Sequence, residues 1–253
     1  MNSLHNDIII QEGTARYYFS YLAWDSHFFN RPSYLLNTDK SKLSGNDTIK
    51  EEIKDRLINC FVTAKIDTAY DYNVVKLLQD AGFYYIETEI TLEYQQKLYS
   101  VAKQFKKRGD VLIEKLAVND DLPYTELGSV FSLTRFHTDP CTSEMADDVW
   151  ISYLKNYNPD KNHHLFVARI EGEIAGVILA NQRENRVMLF FIAVKNKYRA
   201  QGIGTVLINY VVEYFYTYQI MTETQVRNIK AINYYIKNGF LKIFSTKTVL
   251  HKW

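Results

Sequence analysis

The segment Val194-Lys-Asn-Lys-Tyr-Arg199-Ala-Gln-Gly202-Ile-Gly204-Thr-Val-Leu207 sets two glycines and an arginine between an apolar run and an amphipathic one. Gly202 and Gly204 remove side chains where a ligand would approach the main chain, and the helix that follows offers free N–H groups and the positive end of its dipole. A pyrophosphate fits such a cradle. Arg199 can close over it with charge-assisted hydrogen bonds, and Ala200, Gln201, Ile203 and Thr205 complete the loop. A plain strand-to-helix turn would also use the glycines. No Gly-Lys-Ser/Thr ends the motif, which excludes a Walker A loop. Glu223 lies about 20 residues on, where a dinucleotide fingerprint keeps its ribose acid, but the third glycine of that fingerprint is Leu207 here.

A second constellation follows: Asn228-Ile-Lys-Ala231-Ile-Asn-Tyr-Tyr235-Ile-Lys-Asn-Gly239-Phe240. With both in this order, the chain resembles the GNAT superfamily of N-acetyltransferases over roughly residues 111–253. Arg199-x-x-Gly202-x-Gly204 matches that family's pyrophosphate loop, and the Asn, Ala, Tyr, Gly-Phe series matches its last characteristic helix. The resemblance implies two splayed strands, Val187–Val194 and Ile220–Val226, with acetyl-CoA in the gap. It maps the pantetheine contacts onto the backbone of Ile192, Ala193 and Val194, with an amide of that segment polarising the thioester carbonyl. Asn228 would bond the pantetheine from the other side; it also suits the N-cap of the next helix, and the two roles can coexist. Tyr235 is the expected general acid, protonating the CoA thiolate. Tyr234 points about 100° away around the helix and is expected in the core. The base is open: Leu189 to Val194 is wholly apolar, so the proton leaves through water, or the amine arrives neutral.

Further elements must hold these residues. Leu165–Ile170 and Ile174–Ala180 flank Gly172 as a hairpin, and Val187–Val194, apolar on both faces, reads as a central strand. Ile203–Tyr218 carries a buried helical stripe, Ile220–Val226 is a strand, Ile229–Asn238 a helix ended by Gly239, and Phe240–Lys252 the closing strand. Upstream, Val111–Ala117 reads as a strand and Asp121–Arg135 and Met145–Asn156 as helices. The expected class is α/β (α+β): a mixed, mostly antiparallel twisted sheet flanked by helices, the GNAT fold, preceded by a smaller partial GNAT-like domain.

That domain is read from a repeat. Asp71-Tyr-Asn-Val74-Val-Lys-Leu77-Leu78-Gln-Asp-Ala-Gly82-Phe83 aligns without gaps on Asn228–Phe240 at an offset of 157, with Leu78 on Tyr235 and Gly82-Phe83 on Gly239-Phe240. Cys60–Ile66, Tyr72–Ala81 and Phe83–Tyr94 form a β-α-β unit around it. The basic run Lys103, Lys106, Lys107, Arg108 reads as a linker or solvated face, so the expected domains are 1–105 and 106–253, the second catalytic. Such a tandem resembles the dTDP-fucosamine acetyltransferase type, as do Trp24-Asp-Ser-His-Phe28-Phe29 and Thr134-Arg-Phe136-His137-Thr-Asp139-Pro140. In the latter segment Phe136 can stack, and His137 and Asp139 can bond hydroxyls or orient an amine; His137 could be the missing base. A helix-terminating turn at Asp139-Pro140 is the competing reading. Trp24 could line the same sugar site or pack in a core.

Composition agrees with a folded enzyme. Among 253 residues, 30 Lys plus Arg balance 29 Asp plus Glu, so a nucleic-acid partner is not expected. Aromatics at 15% suit strands and a lined pocket. Cys60 and Cys141 lack zinc spacing, so no metal is expected. The apolar run Val187–Val194 is far short of the roughly 20 residues that span a bilayer. The first residues are polar, so a cytoplasmic chain without membrane insertion is expected. An exposed strand edge in the repeat could pair two chains as a homodimer. The expected reaction moves acetyl from acetyl-CoA to the amine of a dTDP-linked amino-dideoxy sugar. A different small amine, a protein amine, or a non-catalytic acyl-CoA module are the alternatives.

Overall fold

The computed structural model describes residues 6–45, 47–69, 72–95, 110–116 and 122–253. The chain forms two compact units, Met1–Glu89 with Thr246–Trp253, and Ile90–Ser245. The basic run and the boundary expected at 105/106 lie outside the described residues. The observed division falls inside a strand, and the last residues of the chain join the first unit rather than the second. Local sequence marks a strand but carries no signal for which ladder each half of it will enter.

In the first unit, β1 (Ile8–Glu12), β2 (Ala15–Tyr21), α1 (Ala23–Phe28), β3 (Ser33–Leu36) and α2 (Asp47–Arg56) precede the expected β4 (Phe61–Asp67), α3 (Tyr72–Asp80) and β5 (Tyr84–Tyr94). β1 and β2 are antiparallel, β2 and β3 antiparallel, and β3 and β4 parallel. Lys247–Lys252 of the terminal strand β11 (Phe240–Lys252) then pairs antiparallel with β4. Ile49 and Ile53 of α2 and Leu78 of α3 bury against Tyr17, Phe19 and Leu250.

The second unit holds β6 (Leu112–Leu116), α4 (Tyr124–Gly128), α5 (Arg135–Thr138), α6 (Ala146–Lys155), β7 (His163–Ile170), β8 (Glu173–Arg183), β9 (Arg186–Val194), α7 (Ile203–Tyr214), β10 (Gln219–Gln225) and α8 (Ile229–Lys237). β6 to β9 are an antiparallel meander, and β10 joins β9 in parallel. One face of this sheet packs on α7 through Leu207, Ile208 and Val211; the other, through Phe191 and Ala193 of β9, packs on Leu127 of α4 and Leu154 of α6. The mixed, mostly antiparallel sheet flanked by helices is the expected class. Gly82 and Gly239 take φ of +92° and +93° after α3 and α8, as the aligned repeats predict.

The helix expected over Asp121–Arg135 is instead two short ones. α4 crosses α6 so closely that a Cβ on Gly128 would lie 2.8 Å from the Ile151 backbone. The helix stops there, and Val130–Thr134, outside any helix or strand, line a cavity together with Phe190 and Ile192 of β9 and Glu223 of β10. Between β9 and α7, Glu173 ties down the turn: its carboxylate accepts from Lys195 Nζ at 2.9 Å, Lys197 Nζ at 2.6 Å and the Tyr198 hydroxyl at 2.9 Å.

Adding a methyl at residue 128 (G128A) overfills the contact with Ile151, and the expected loss is about 1–3 kcal/mol in urea unfolding with an unchanged m-value. The bonds from Lys197, Lys195 and Tyr198 pull the Glu173 carboxyl down to about 2. Because the folded pKa is depressed, this contribution is complete above the unfolded carboxylate range near about 4.3 and disappears as pH falls through about 2. Unfolding midpoints should therefore separate wild type from Glu173→Gln near neutrality and converge in acid; a constant gap would refute the ionic tether.

Candidate active site

The parallel pairing of β9 with β10 stops at Leu189↔Thr222. At the same place β9 carries an extra residue: Leu179 lies opposite Phe191 and Ala180 opposite Leu189, so Phe190 is unmatched on β8. A bulge of this kind bends its strand and increases the local twist. Thr222 Oγ1 donates to the Leu189 carbonyl at 3.0 Å, ending the ladder with a side chain. Beyond it, β9 to Val194 and β10 to Gln225 continue without each other, leaving a wedge.

Which main-chain groups face the wedge follows from alternation. Lys195 N–H donates to Ala175 at 2.9 Å, and Ala193 lies opposite Val177, so both belong to the β8 ladder. Ile192 and Val194 therefore turn their N–H and C=O groups to the cleft. Of the three residues expected to supply backbone contacts, Ile192 and Val194 turn their main-chain groups to the cleft, and Ala193 turns its own to β8.

A cavity of about 470 Å³ joins Ile192 and Val194 to Arg199, Ala200, Gly202 and Thr205. Ala200 and Gly202 both take left-handed backbone, φ +59° and +82°, which turns the loop sharply before α7. A Cβ on Gly202 would meet nothing within 4 Å, whereas one on Gly204 would lie 2.5 Å from the Tyr234 hydroxyl. The two glycines thus have separate causes: Gly202 leaves its face open, and Gly204 admits a tyrosine. Arg199 is exposed and donates to the Val194 and Val130 carbonyls, each at 3.3 Å. Gln201 turns back to the Lys197 carbonyl at 2.9 Å and is absent from the cavity wall. With unused amides at the start of α7 and a cation beside them, this loop fits a diphosphate.

A second cavity, about 650 Å³, continues from Ile192 to Thr134, Glu223, Asn228, Tyr234 and Tyr235. Asn228 Oδ1 caps α8, accepting from Ala231 N–H at 3.2 Å, and its Nδ2 has no bond among the described residues. Both expected roles are therefore compatible with its geometry. Tyr235 is half-buried, its ring edge-on to Phe240 at 5.7 Å. Burial raises its phenol above the ordinary value, and the nearby Thr222 hydroxyl offsets part of that rise. Tyr234, expected in the core, packs against it and also lines both cavities. Its buried hydroxyl makes no hydrogen bond of ordinary geometry; burial and then Tyr235 push its pKa up, and the Thr205 hydroxyl lies close enough only to offset a little.

The expected acceptor residues do not gather here. Phe136 is 3% exposed and packs edge-on against Trp150 at 6.0 Å. Asp139 is fully buried and accepts from Cys141 N–H at 2.9 Å. Both ring nitrogens of His137 are engaged, Nδ1 with Thr134 Oγ1 at 2.8 Å and Nε2 with Asp147 at 3.1 Å. The segment is a packed turn, the competing reading of the motif. Trp24 belongs to the first unit, where it stacks on Phe28 at 5.3 Å. Sequence reasoning missed Glu223 as a site residue, having weighed it only as a ribose acid. It also missed Arg227, which donates to the Leu133 carbonyl at 3.3 Å and to the Thr138 hydroxyl, holding the turn at the cavity rim. The signal for both was position: each follows the last paired residue of β10.

Residues 131–240 match the family described as the Acetyltransferase (GNAT) family. An uncharacterized N-acetyltransferase of Methanocaldococcus jannaschii is 30% identical over 79 residues, 30% of this chain. The match spans about half, 51%, of that relative's length. A functionally unknown conserved protein from Staphylococcus epidermidis superposes with a TM-score of 0.68 at 15% identity, covering 97% of this chain and 94% of that one. A tandem GNAT protein from the clavulanic acid biosynthesis pathway gives 0.60 at 12% identity over 97% and 81%. A GCN5-related N-acetyltransferase from Kribbella flavida gives 0.59 at 10% identity over 98% and 90%. The fold is accordingly GNAT-like in a two-domain arrangement, and the wedge, the glycine loop and α8 all lie in the segment that matches the GNAT acetyltransferase family.

Proposed function

We propose that the chain is an N-acetyltransferase that moves acetyl from acetyl-CoA to a small amine, with Tyr235 as general acid. The observation that carries this reading is the wedge itself. The cleft-facing groups of Ile192 and Val194 run from the Arg199–Gly204 loop to the Tyr235 ring, along the line a pantetheine arm would take from a diphosphate to a reacting thioester. An extended amide chain can add to that half-free strand edge as another strand would. An unused N–H of β9 beside the thioester supplies the donor for the oxyanion.

The amine nitrogen attacks the thioester carbonyl, the tetrahedral centre collapses with cleavage of C–S, and the thiolate takes a proton from the phenol. Burial raises the phenol, and the same surroundings would raise a CoA thiol placed beside it, keeping donor and acceptor matched. A sensor of acyl-CoA would need the loop but no acid at this point.

For the acceptor we propose a nucleotide-linked amino-dideoxy sugar, of the dTDP type. Phe131, Trp150 and Phe190 offer aromatic walls for a sugar face, and Arg227 and Lys230 put positive charge at the rim for a second diphosphate. A simple amine remains the alternative, and the same cavity volume of about 650 Å³ would accept it.

Thiol release from acetyl-CoA, measured against dTDP- and UDP-amino sugars and simple amines, tests both levels. Preference for simple amines over every nucleotide sugar overturns the sugar reading; no release with any acceptor overturns the enzyme reading. Tyr235→Phe should lower turnover about 10²–10⁴-fold with acetyl-CoA affinity little changed, and unchanged turnover would remove the assignment of the acid.

A further inference from the structure

We infer that the Tyr234 hydroxyl is an added hydrogen-bond donor to the diphosphate of acetyl-CoA, brought to the glycine loop by α8 rather than by the loop itself. This rests on the acetyl-transfer reading above and extends its diphosphate site beyond the residues that motif spacing supplies. Tyr234 lines both the loop cavity and the larger one, a position it shares with Val130, Phe131, Ile192 and Arg199, so a chain running from the loop to Tyr235 passes its ring. Its hydroxyl reaches the first turn of α7, where it stands 2.5 Å from the place a Cβ on Gly204 would take, with the Val194 side chain also beside that place. In that turn the amides of Ile203, Gly204 and Thr205 precede the first helical bond, Val206 N–H to the Gly202 carbonyl at 3.0 Å, and have no acceptor within the helix.

The hydroxyl itself needs an acceptor. Its oxygen is buried and makes no hydrogen bond of ordinary geometry among the described residues. Burial, then the neighbouring Tyr235, raises its pKa, so at neutral pH it is a protonated donor. The open amides of α7 are donors as well, and Arg199 is a cation at the same cavity. A single anionic group set against this turn accepts from all of them, and a diphosphate carries enough oxygens to do so.

Packing accounts for the ring but not for its oxygen. Leu77 holds the aligned position in the first unit and meets Gly45 as Tyr234 meets Gly204, so the contact with a glycine calls for a large side chain and no hydroxyl. The cavity beside Leu77 is lined by Asp47 and Asp80, whose carboxylates take Lys50 at 2.7 Å and Lys76 at 2.8 Å. The cavity beside Tyr234 has Arg199 and, among the described residues, no carboxylate in its wall. The hydroxyl thus stands in the unit whose cavity suits an anion. Because its oxygen is covered in the free protein, the first turn of α7 draws off it as the diphosphate enters, and the ligand then bridges α7 to α8, the helix that carries Tyr235.

The test compares wild type with Tyr234→Phe, which keeps the ring, through unfolding midpoints without ligand, acetyl-CoA dissociation constants from calorimetry, and phosphorus NMR of acetyl-CoA at saturation. Without ligand the variant should unfold at the wild-type midpoint or above it, since a buried oxygen lacking a partner is removed. Its dissociation constant for acetyl-CoA should rise about 10–100-fold, the loss of one bond to a charged oxygen. The diphosphate signals of the bound ligand should move between the two proteins, while the signal of its ribose phosphate stays in place. A midpoint below wild type without ligand shows the hydroxyl already bonded in the free protein, as to Thr205, and overturns the inference. Unchanged affinity, or weaker binding with unmoved diphosphate signals, overturns it too and leaves acetyl transfer intact. Wild type that binds no acetyl-CoA overturns the underlying reading and the inference together.

Discussion

Two parallel strands that stop pairing part-way leave main-chain donors and acceptors facing a gap. A buried backbone group without a partner costs about 1–3 kcal/mol, so such a gap persists only when water or a ligand completes it. In the second unit this happens at Leu189↔Thr222, and neighbouring features serve to hold the opening in place. The Phe190 bulge bends β9, the Thr222 hydroxyl satisfies the last carbonyl, and α7 and α8 are threaded so that their N-termini face the opening. The proposed chemistry then follows from placement: amides suited to an anion at one end of the wedge, a phenol at the other.

Holding the wedge open requires close contacts that leave little freedom for particular residues. Gly204 is glycine because the Tyr234 hydroxyl stands 2.5 Å from where its Cβ would be. Gly128 is glycine because α6 passes against it, and that contact ends α4 early enough for Val130–Thr134 to reach both cavities. Arg227 and His137 hold the following turn from opposite sides, through Leu133 and Thr138 and through Thr134 and Asp147. A polar pattern that looked from sequence like ligand recognition is here the scaffold of the rim.

Periodic elements and the glycine loop were legible because their signals are local. β9, α7, α8 and the left-handed Gly239 fall close to where spacing places them. Three features were not, each because it depends on a distant partner. The halves of β5 and β11 sort into different units according to the ladders they enter. The break in the helix after Gly128 answers to Ile151, and the inward position of Phe136 and Asp139 answers to α6 and the turn they close. Glu223 was visible in the sequence, but its place on the cavity wall depends on the pairing that ends one residue before it.

The first unit shows what this architecture becomes without the wedge. Its β4-α3-β5 segment repeats β10-α8-β11, down to the glycine after the helix at φ +92°. Its parallel pair, β3 and β4, is matched along all of β3, from Ser33↔Phe61 to Leu36↔Ala64, so β3 has no stretch that runs on past the pairing as β9 does. The close approach is kept as well: a Cβ on Gly45, just before α2, would collide with the Leu77 side chain of α3. Leu77 and Leu78 align with Tyr234 and Tyr235, and both are buried. The contact that Tyr234 makes with Gly204 is thus made in the first unit by an aliphatic side chain, and the position of the proposed acid is core. With no β3 stretch running on past the pairing, two strands do not splay there as β9 and β10 do, and a buried hydroxyl without a partner would cost stability. The short β3 and the two buried leucines therefore agree at two levels, main chain and side chain, as the splay and the two tyrosines do in the second unit.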